Sequence, residues 1–174
     1  MKLNGQQVNV RARKLIRIPR PDGEPVGLWI AALPLGFEEK VEQLFPSPVA
    51  PERLIWKSKG IPERDGDGRP MTKPDTNDPD YKKASARSTQ LQGTFYVYQS
   101  LVQAEQNNGL AFDSVLGEDT PAGWTKFMDE IRQEFKDAGL SSGDLSLLMT
   151  AVLDVNNLSG EKIKEAMNDF LSLG

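Results

Sequence analysis

The sequence predicts an α+β chain, a small β-rich module followed by a bundle of about four helices. Three observations predict it. From Val8 to Leu33 apolar and polar residues alternate on either side of a turn-forming Pro-Asp-Gly, the pattern of a hairpin with one buried face. Residues 59–77, KGIPERDGDGRPMTKPDTN, are dense in Gly, Asp and Pro and nearly free of apolar side chains. After Asp78 the apolar residues recur three or four apart, the period of an amphipathic helix. The expected organisation is a β-rich module with one short helix over 1–58, a loop or linker over 59–77, and a helical bundle over 78–174.

In the first strand, VNVRARKLIRI, Val8, Val10 and Ala12 alternate with polar partners. The phase shifts at Leu15, Ile16 and Ile18, which predicts a bulge. PRPDGEP is turn chemistry, with Asp22-Gly23 suited to positive φ, and VGLWIAAL returns as the second strand. Phe37, Val41, Leu44 and Phe45 then fall at helical spacing, so Gly36 to Phe45 is read as a short helix ended by Pro46. RLIWKS, residues 53–58, is a candidate third strand.

The helical half carries its own start and stop signals. Asp78-Pro79 and Thr120-Pro121 each place an oxygen-bearing cap before a proline whose missing N–H costs a helix nothing in its first turn. The first helix is expected to bury Tyr81, Ala84, Ser88, Leu91, Phe95, Tyr98 and Val102 on one face. The second buries Trp124, Phe127, Met128, Ile131 and Phe135 and stops at Gly139. The third runs from Ser141 to about Asn156, and a fourth starts at Ser159 and carries Ile163, Ala166, Met167, Phe170 and Leu171 inward.

Composition narrows the chemistry. The 174 residues include no Cys and no His. Thiolate metal sites, disulfides and cysteine nucleophiles are excluded, and the usual proton shuttle near neutral pH is missing. No cofactor motif occurs, and trial calcium loops starting at Asp65, Asp75 and Asp154 fail at the fifth position, occupied by Arg69, Pro79 and Leu158. The Asp-rich stretch is therefore read as solvated loop plus helix cap, and a non-enzymatic protein without catalytic, cofactor or metal residues is expected. No apolar run reaches the length of a bilayer span, and MKLNGQQVNVRARK lacks the apolar stretch of a secretory signal. The cytoplasm is the expected compartment, that of a host cell if a phage encodes the chain.

Charge is unevenly placed. Residues 1–20 carry six basic side chains and no acid, whereas residues 91–174 carry five basic and thirteen acidic ones, a net of −8. The two ends can meet within one molecule or across two copies, so a homo-oligomer stays open. Arg11, Arg13, Lys14, Arg17 and Arg20 form a candidate basic contact surface that could follow a phosphate backbone. Nucleic acid is disfavoured, because the ribbon has no interleaved aromatic for base stacking and the helix SGDLSLLMTAVLDVNN has no Lys or Arg to enter a groove. The aromatic set Phe95, Tyr96, Tyr98, Trp124 and Phe127 reads first as core. It is also the candidate partner-binding set, Tyr96 most of all, since it falls off the inward face.

The segment KPDTNDPDYKKASAR with its following aromatic helix, and then AGWTKFMDEIRQEFKDAGLSSGDLSLLMTAVLDVNNLSGEKIKEAMNDFL, resembles tail assembly chaperones of long-tailed bacteriophages. The likeness spans about the last 100 residues. It rests on the Pro-Asp entry before Tyr81, Trp124 opening a helix, Ala138-Gly139-Leu140-Ser141 and Val155-Asn156-Asn157-Leu158. It implies a protein that binds the long helical tape-measure protein and brings tail-tube subunits to it, by covering apolar stripes of a partner helix in grooves of its own. A structural part of the virion, in the tail or at the head–tail junction, and a nucleic-acid-binding protein working through the basic hairpin are the alternatives.

Overall fold

A computed structural model describes residues 12–20, 23–107 and 109–156, together with the backbone of residues 2–3 and 6–7. The expected fourth helix of the bundle, from Ser159, and the basic residue Arg11 lie outside the described residues. The fold is α+β: small antiparallel strand pairs come first and the long helices follow.

Strands β1 (Lys2–Leu3) and β2 (Gln6–Gln7) pair with each other, and β3 (Arg13–Arg20) pairs with β4 (Gly23–Ala31). Alternation buries Ile16 and Ile18 of β3 and Ile30 of β4, and leaves Leu15 and Arg17 on the outer face. Leu15 is thus an exposed apolar residue, and the phase shift it suggested is not a bulge at that point. The irregularity lies between Ile18 and Arg20, at Pro19, which has no N–H for the ladder. Gly23 is the first residue of β4 and not a positive-φ turn residue.

Helix α1 (Phe37–Leu44) starts after Gly36, whose φ of 79° favours glycine, and buries Phe37 and Val41. Helix α2 (Pro79–Val102) begins where expected: the Asp78 carboxylate accepts from the Tyr81 N–H at 2.8 Å. Its burial differs from a single seam. From Leu91 to Leu101 the helix also buries Gly93, Thr94, Val97 and Ser100, while Val102 is exposed. The reason is position, since α2 packs on α3 (Pro121–Asp137), on α4 (Ser142–Val155) and on β4 at once.

α3 ends in a Schellman motif. Gly139, at φ 77°, donates to Lys136 O at 2.8 Å, and Leu140 N donates to Phe135 O at 2.9 Å. The chain then turns by 119° into α4. There Ser141 and Asp144 form a reciprocal capping box, Ser141 Oγ accepting from Asp144 N at 3.2 Å and Asp144 Oδ2 from Ser141 N at 2.8 Å. Those bonds from Ser141, backbone first, hold the Asp144 carboxyl below its usual range. A depressed carboxylate stabilises the fold above its unfolded value and loses that contribution as pH falls through its folded value. Ser141→Ala is expected to cost about 1 kcal/mol near neutral pH. The difference from wild type, measured by urea denaturation, should shrink below the ordinary carboxylate range.

The hairpin and the helices share one core. Ile16, Ile18 and Ile30 join Phe37, Val41 and the inner faces of α2, α3 and α4 in a single cluster. Each of these large side chains contributes about 1.5–3 kcal/mol on burial, enough to dock the hairpin against the helices. Two asparagines finish the joint. Asn107 Oδ1 accepts from Trp29 N and Asn107 Nδ2 donates to Trp29 O, both at 2.8 Å, so a side-chain amide closes the outer edge of β4 as a neighbouring strand would. Further along the same edge, Leu33 N donates to Asn156 Oδ1 at 2.9 Å.

Residues 59–77, expected as a loop or linker, are mostly exposed turns that form part of a small ordered module over 51–75. Strands β5 (Glu52–Leu54) and β8 (Thr72–Pro74) form a stem, and β6 (Trp56–Ser58) pairs with β7 (Ile61–Pro62) above it. The candidate strand RLIWKS is therefore split between two hairpins at Ile55.

Candidate binding surfaces

The 51–75 module is a trefoil of hairpins around a ring of three backbone hydrogen bonds. Ile55 N donates to Met71 O at 2.9 Å, Glu63 N to Ile55 O at 2.8 Å, and Met71 N to Glu63 O at 2.8 Å. The ring residues stand eight apart, and each of the two arms between them closes on a glycine at positive φ followed two residues later by proline: Gly60-Ile61-Pro62 and Gly68-Arg69-Pro70. In the second arm Asp65 Oδ1 accepts from Asp67 N at 3.0 Å and Arg69 N at 2.8 Å, so the Asp-rich stretch builds its own turn. Among the described residues no group of three or more acids is placed to hold a metal ion.

This module adds nothing to the interior. No described residue between Phe45 and Leu91 belongs to the hydrophobic core. Instead it displays Leu54, Trp56, Ile61 and Met71, with Trp56 56% and Ile61 59% exposed. Large apolar side chains held outward on an ordered scaffold make this module a candidate contact surface.

A second surface is an apolar groove of about 190 Å³ where the far end of the hairpin meets the end of α3. Val26 and Leu28 of β4, Leu101 of α2, Leu110 and Phe112 of the following loop, and Leu140 line it, with Arg20 and Glu134 among the polar groups. Both charged groups are held in place. Arg20 Nη1 donates to Gly139 O at 2.9 Å, and the Glu134 carboxylate accepts from Asp113 N at 2.9 Å and Ser114 N at 2.7 Å. Burial raises the Glu134 pKa, but the Ser114 hydroxyl and then these two backbone N–H groups outweigh it and hold the carboxyl below its usual range. The volume falls short of the roughly 300–1,000 Å³ of a small-molecule pocket, and suits side chains of a docked protein.

A third is an open cleft of about 390 Å³ at the start of α3, walled by Val115 and Glu118 on one side and Lys126 and Glu130 on the other, with Phe127 below. One wall lies close against the helix at Gly123. A Cβ on Gly123 would lie 2.2 Å from Glu118 O, so only glycine lets the loop cross the helix this closely.

The aromatic set is divided by burial. Phe95 is 0% exposed and Trp124 7%, and both belong to the core and present no surface to a partner, whereas Phe127, also core and 4% exposed, shows only the edge that lines the cleft at the start of α3. Phe95 stacks on Phe37 at 5.1 Å and meets Trp124 edge-on at 5.1 Å. Tyr98 packs edge-on to Phe127 at 5.4 Å and Phe112 at 5.1 Å. Tyr96 is half-buried beside Phe37 at 5.3 Å, and burial, then the nearby Glu38 carboxylate, pushes its phenol up to about 12, so it stays neutral at physiological pH.

The basic stripe is dispersed as well. Lys14 pairs with Asp154 of α4 at 2.6 Å, Arg13 with Glu105 at 3.4 Å, and Arg20 is committed to the end of α3. Alternation places Arg13 and Arg17 on one face of β3, and Lys14 and Arg20 reach the helices instead. Of the two ways in which the charged ends can meet, these pairs supply the one within a molecule. Neither the groove nor the trefoil is evident from sequence. The groove draws on β4, α2, a loop and α3, which are far apart in the chain. The trefoil's available signal is the Gly-x-Pro step repeated at an interval of eight. No family model matches the chain, and neither a curated protein nor a solved structure is significantly similar to it.

Proposed function

We propose that this protein is a non-enzymatic assembly chaperone that binds a helical client, of the kind its helical half resembles, with tape-measure and tail-tube proteins as the clients. The observation that carries the reading is the apolar groove between the hairpin and α3. A client helix would lay its apolar side chains against Val26, Leu28, Leu110 and Phe112, and Arg20 and Glu134 would meet polar groups beside its stripe. A groove of this size holds a client by a few side chains and lets it go, which suits a helper that must leave the finished assembly.

Affinity capture of the tagged protein from its producing cells, with and without nuclease, tests this. A long helical protein should be retained after nuclease treatment, and the chaperone itself should be absent from purified particles. Val26→Glu or Leu110→Glu should abolish capture with little change in stability, because both side chains are already exposed at the groove. Capture unchanged in both variants, or partners lost with nuclease, would overturn the reading.

A further inference from the structure

We propose that copies of this chain associate head to tail, the first arm of the trefoil on one copy entering the cleft at the start of α3 on the next. The arm, IWKSKGIP, pairs Trp56 with Pro62 and Ser58 with Ile61, and offers two exposed apolar side chains, Trp56 and Ile61, on either side of Lys57 and Lys59 in sequence, with no acid among its residues. The cleft is its chemical complement. It has an apolar floor in Phe127, an apolar lip in Val115 that is 80% exposed, and the carboxylates of Glu118 and Glu130 at its walls. Lys126 approaches Glu130 at 3.8 Å, but its side chain is 81% exposed, so that pair is worth little and Glu130 can turn to an incoming lysine.

Size agrees with charge. A cleft of about 390 Å³ is roomy enough for an indole and a neighbouring aliphatic side chain, and tryptophan seated in a preformed pocket is the residue most often found to dominate a protein contact. The cleft is preformed, because Gly123 brings the loop onto the helix, Glu134 clamps the Asp113 and Ser114 N–H groups, and Trp124 Nε1 donates to Asp119 Oδ1 at 2.7 Å. Among the described residues, none of the trefoil lines the cleft of its own copy. Each copy therefore offers one arm and one cleft that do not meet each other. Such a contact is heterologous: a joined pair still has a free arm at one end and a free cleft at the other, so association continues beyond the pair, into a ring or a filament according to the rotation between copies.

The proposal does not rest on the groove, and its test needs no client. Sedimentation velocity of the full chain across the micromolar range should show a mass that grows with concentration. Trp56→Ala, which removes the arm, and Glu118→Lys, which reverses one wall of the cleft, should each weaken association at least about tenfold. Both residues are exposed, and circular dichroism should show each variant folded. The deciding experiment mixes the two variants. One keeps a sound cleft and the other a sound arm, so the mixture should form a one-to-one pair and stop there. A wild-type monomer throughout the range would overturn the proposal, as would variants that associate like wild type or a mixture that stays monomeric. Loss of client capture by Trp56→Ala in a monomeric wild type would assign the arm to the client instead.

Discussion

Phe95→Ala is expected to remove about 3–5 kcal/mol of stability, a larger loss than that of any helix cap in the molecule. Its ring is fully buried where α1, α2 and α3 meet, stacked on Phe37 at 5.1 Å and edge-on to Phe45 at 5.5 Å and Trp124 at 5.1 Å. Truncation deletes those contacts and leaves a hole that three helices cannot close without moving. Against a typical total of about 5–15 kcal/mol, the variant would sit near the edge of folding. Urea denaturation followed by far-ultraviolet circular dichroism reads the loss as a lower midpoint at similar slope. Phe95→Leu, which keeps most of the volume, should lose much less. A cost below about 1 kcal/mol for the alanine variant would mean that the neighbours collapse into the space. The same experiment guards the functional reading, since failed client capture by Phe95→Ala would report unfolding and not a lost contact.

The helices were legible because their ends are written in adjacent residues. Asp78-Pro79, Thr120-Pro121, Ser141 and Gly139 each act within one turn, and the structure uses every one of them as cap or stop, adding at Ser141 a reciprocal box with Asp144. The β3–β4 hairpin was legible for a similar reason, though Leu15 on the outer face blurred its alternation. What was not legible depends on partners distant in sequence. α2 looked like a helix with one buried face, and only the packing of β4, α3 and α4 around it explains why Val97 and Ser100 are inside. Residues 59–77 looked like a linker because their glycines and prolines are those of turns, and three turns in succession carry no apolar periodicity even when they close on each other. The interval from Ile55 to Glu63 to Met71 becomes visible only once the ring of hydrogen bonds is seen.

Asn107→Leu should show how closely the hairpin joint and the groove are linked. The leucine side chain has nearly the shape of asparagine and none of its hydrogen bonds. Two partners are stranded, the Trp29 N–H and the Trp29 carbonyl, each bonded in the wild type at 2.8 Å, while the Leu101 carbonyl loses the amide at 2.9 Å but keeps the Ala104 N–H at 3.3 Å. Each unpaired buried group costs about 1–3 kcal/mol. The site is half-buried and water repairs part of the loss, so about 2–4 kcal/mol is expected in all. Asn107→Asp keeps the acceptor for the Trp29 N–H but turns a second oxygen on two carbonyls, and should be no better. The local readout is amide exchange at Trp29, which should quicken far more than at the core residue Ile131. The functional readout follows from the chain itself, because Asn107 O accepts from Leu110 N at 2.9 Å and Leu110 is a wall of the groove. Freed from β4, that loop would shift and weaken client capture even in the folded fraction. Unchanged Trp29 exchange in the leucine variant would show that other contacts hold the edge of β4, and would separate the groove from the asparagine beside it.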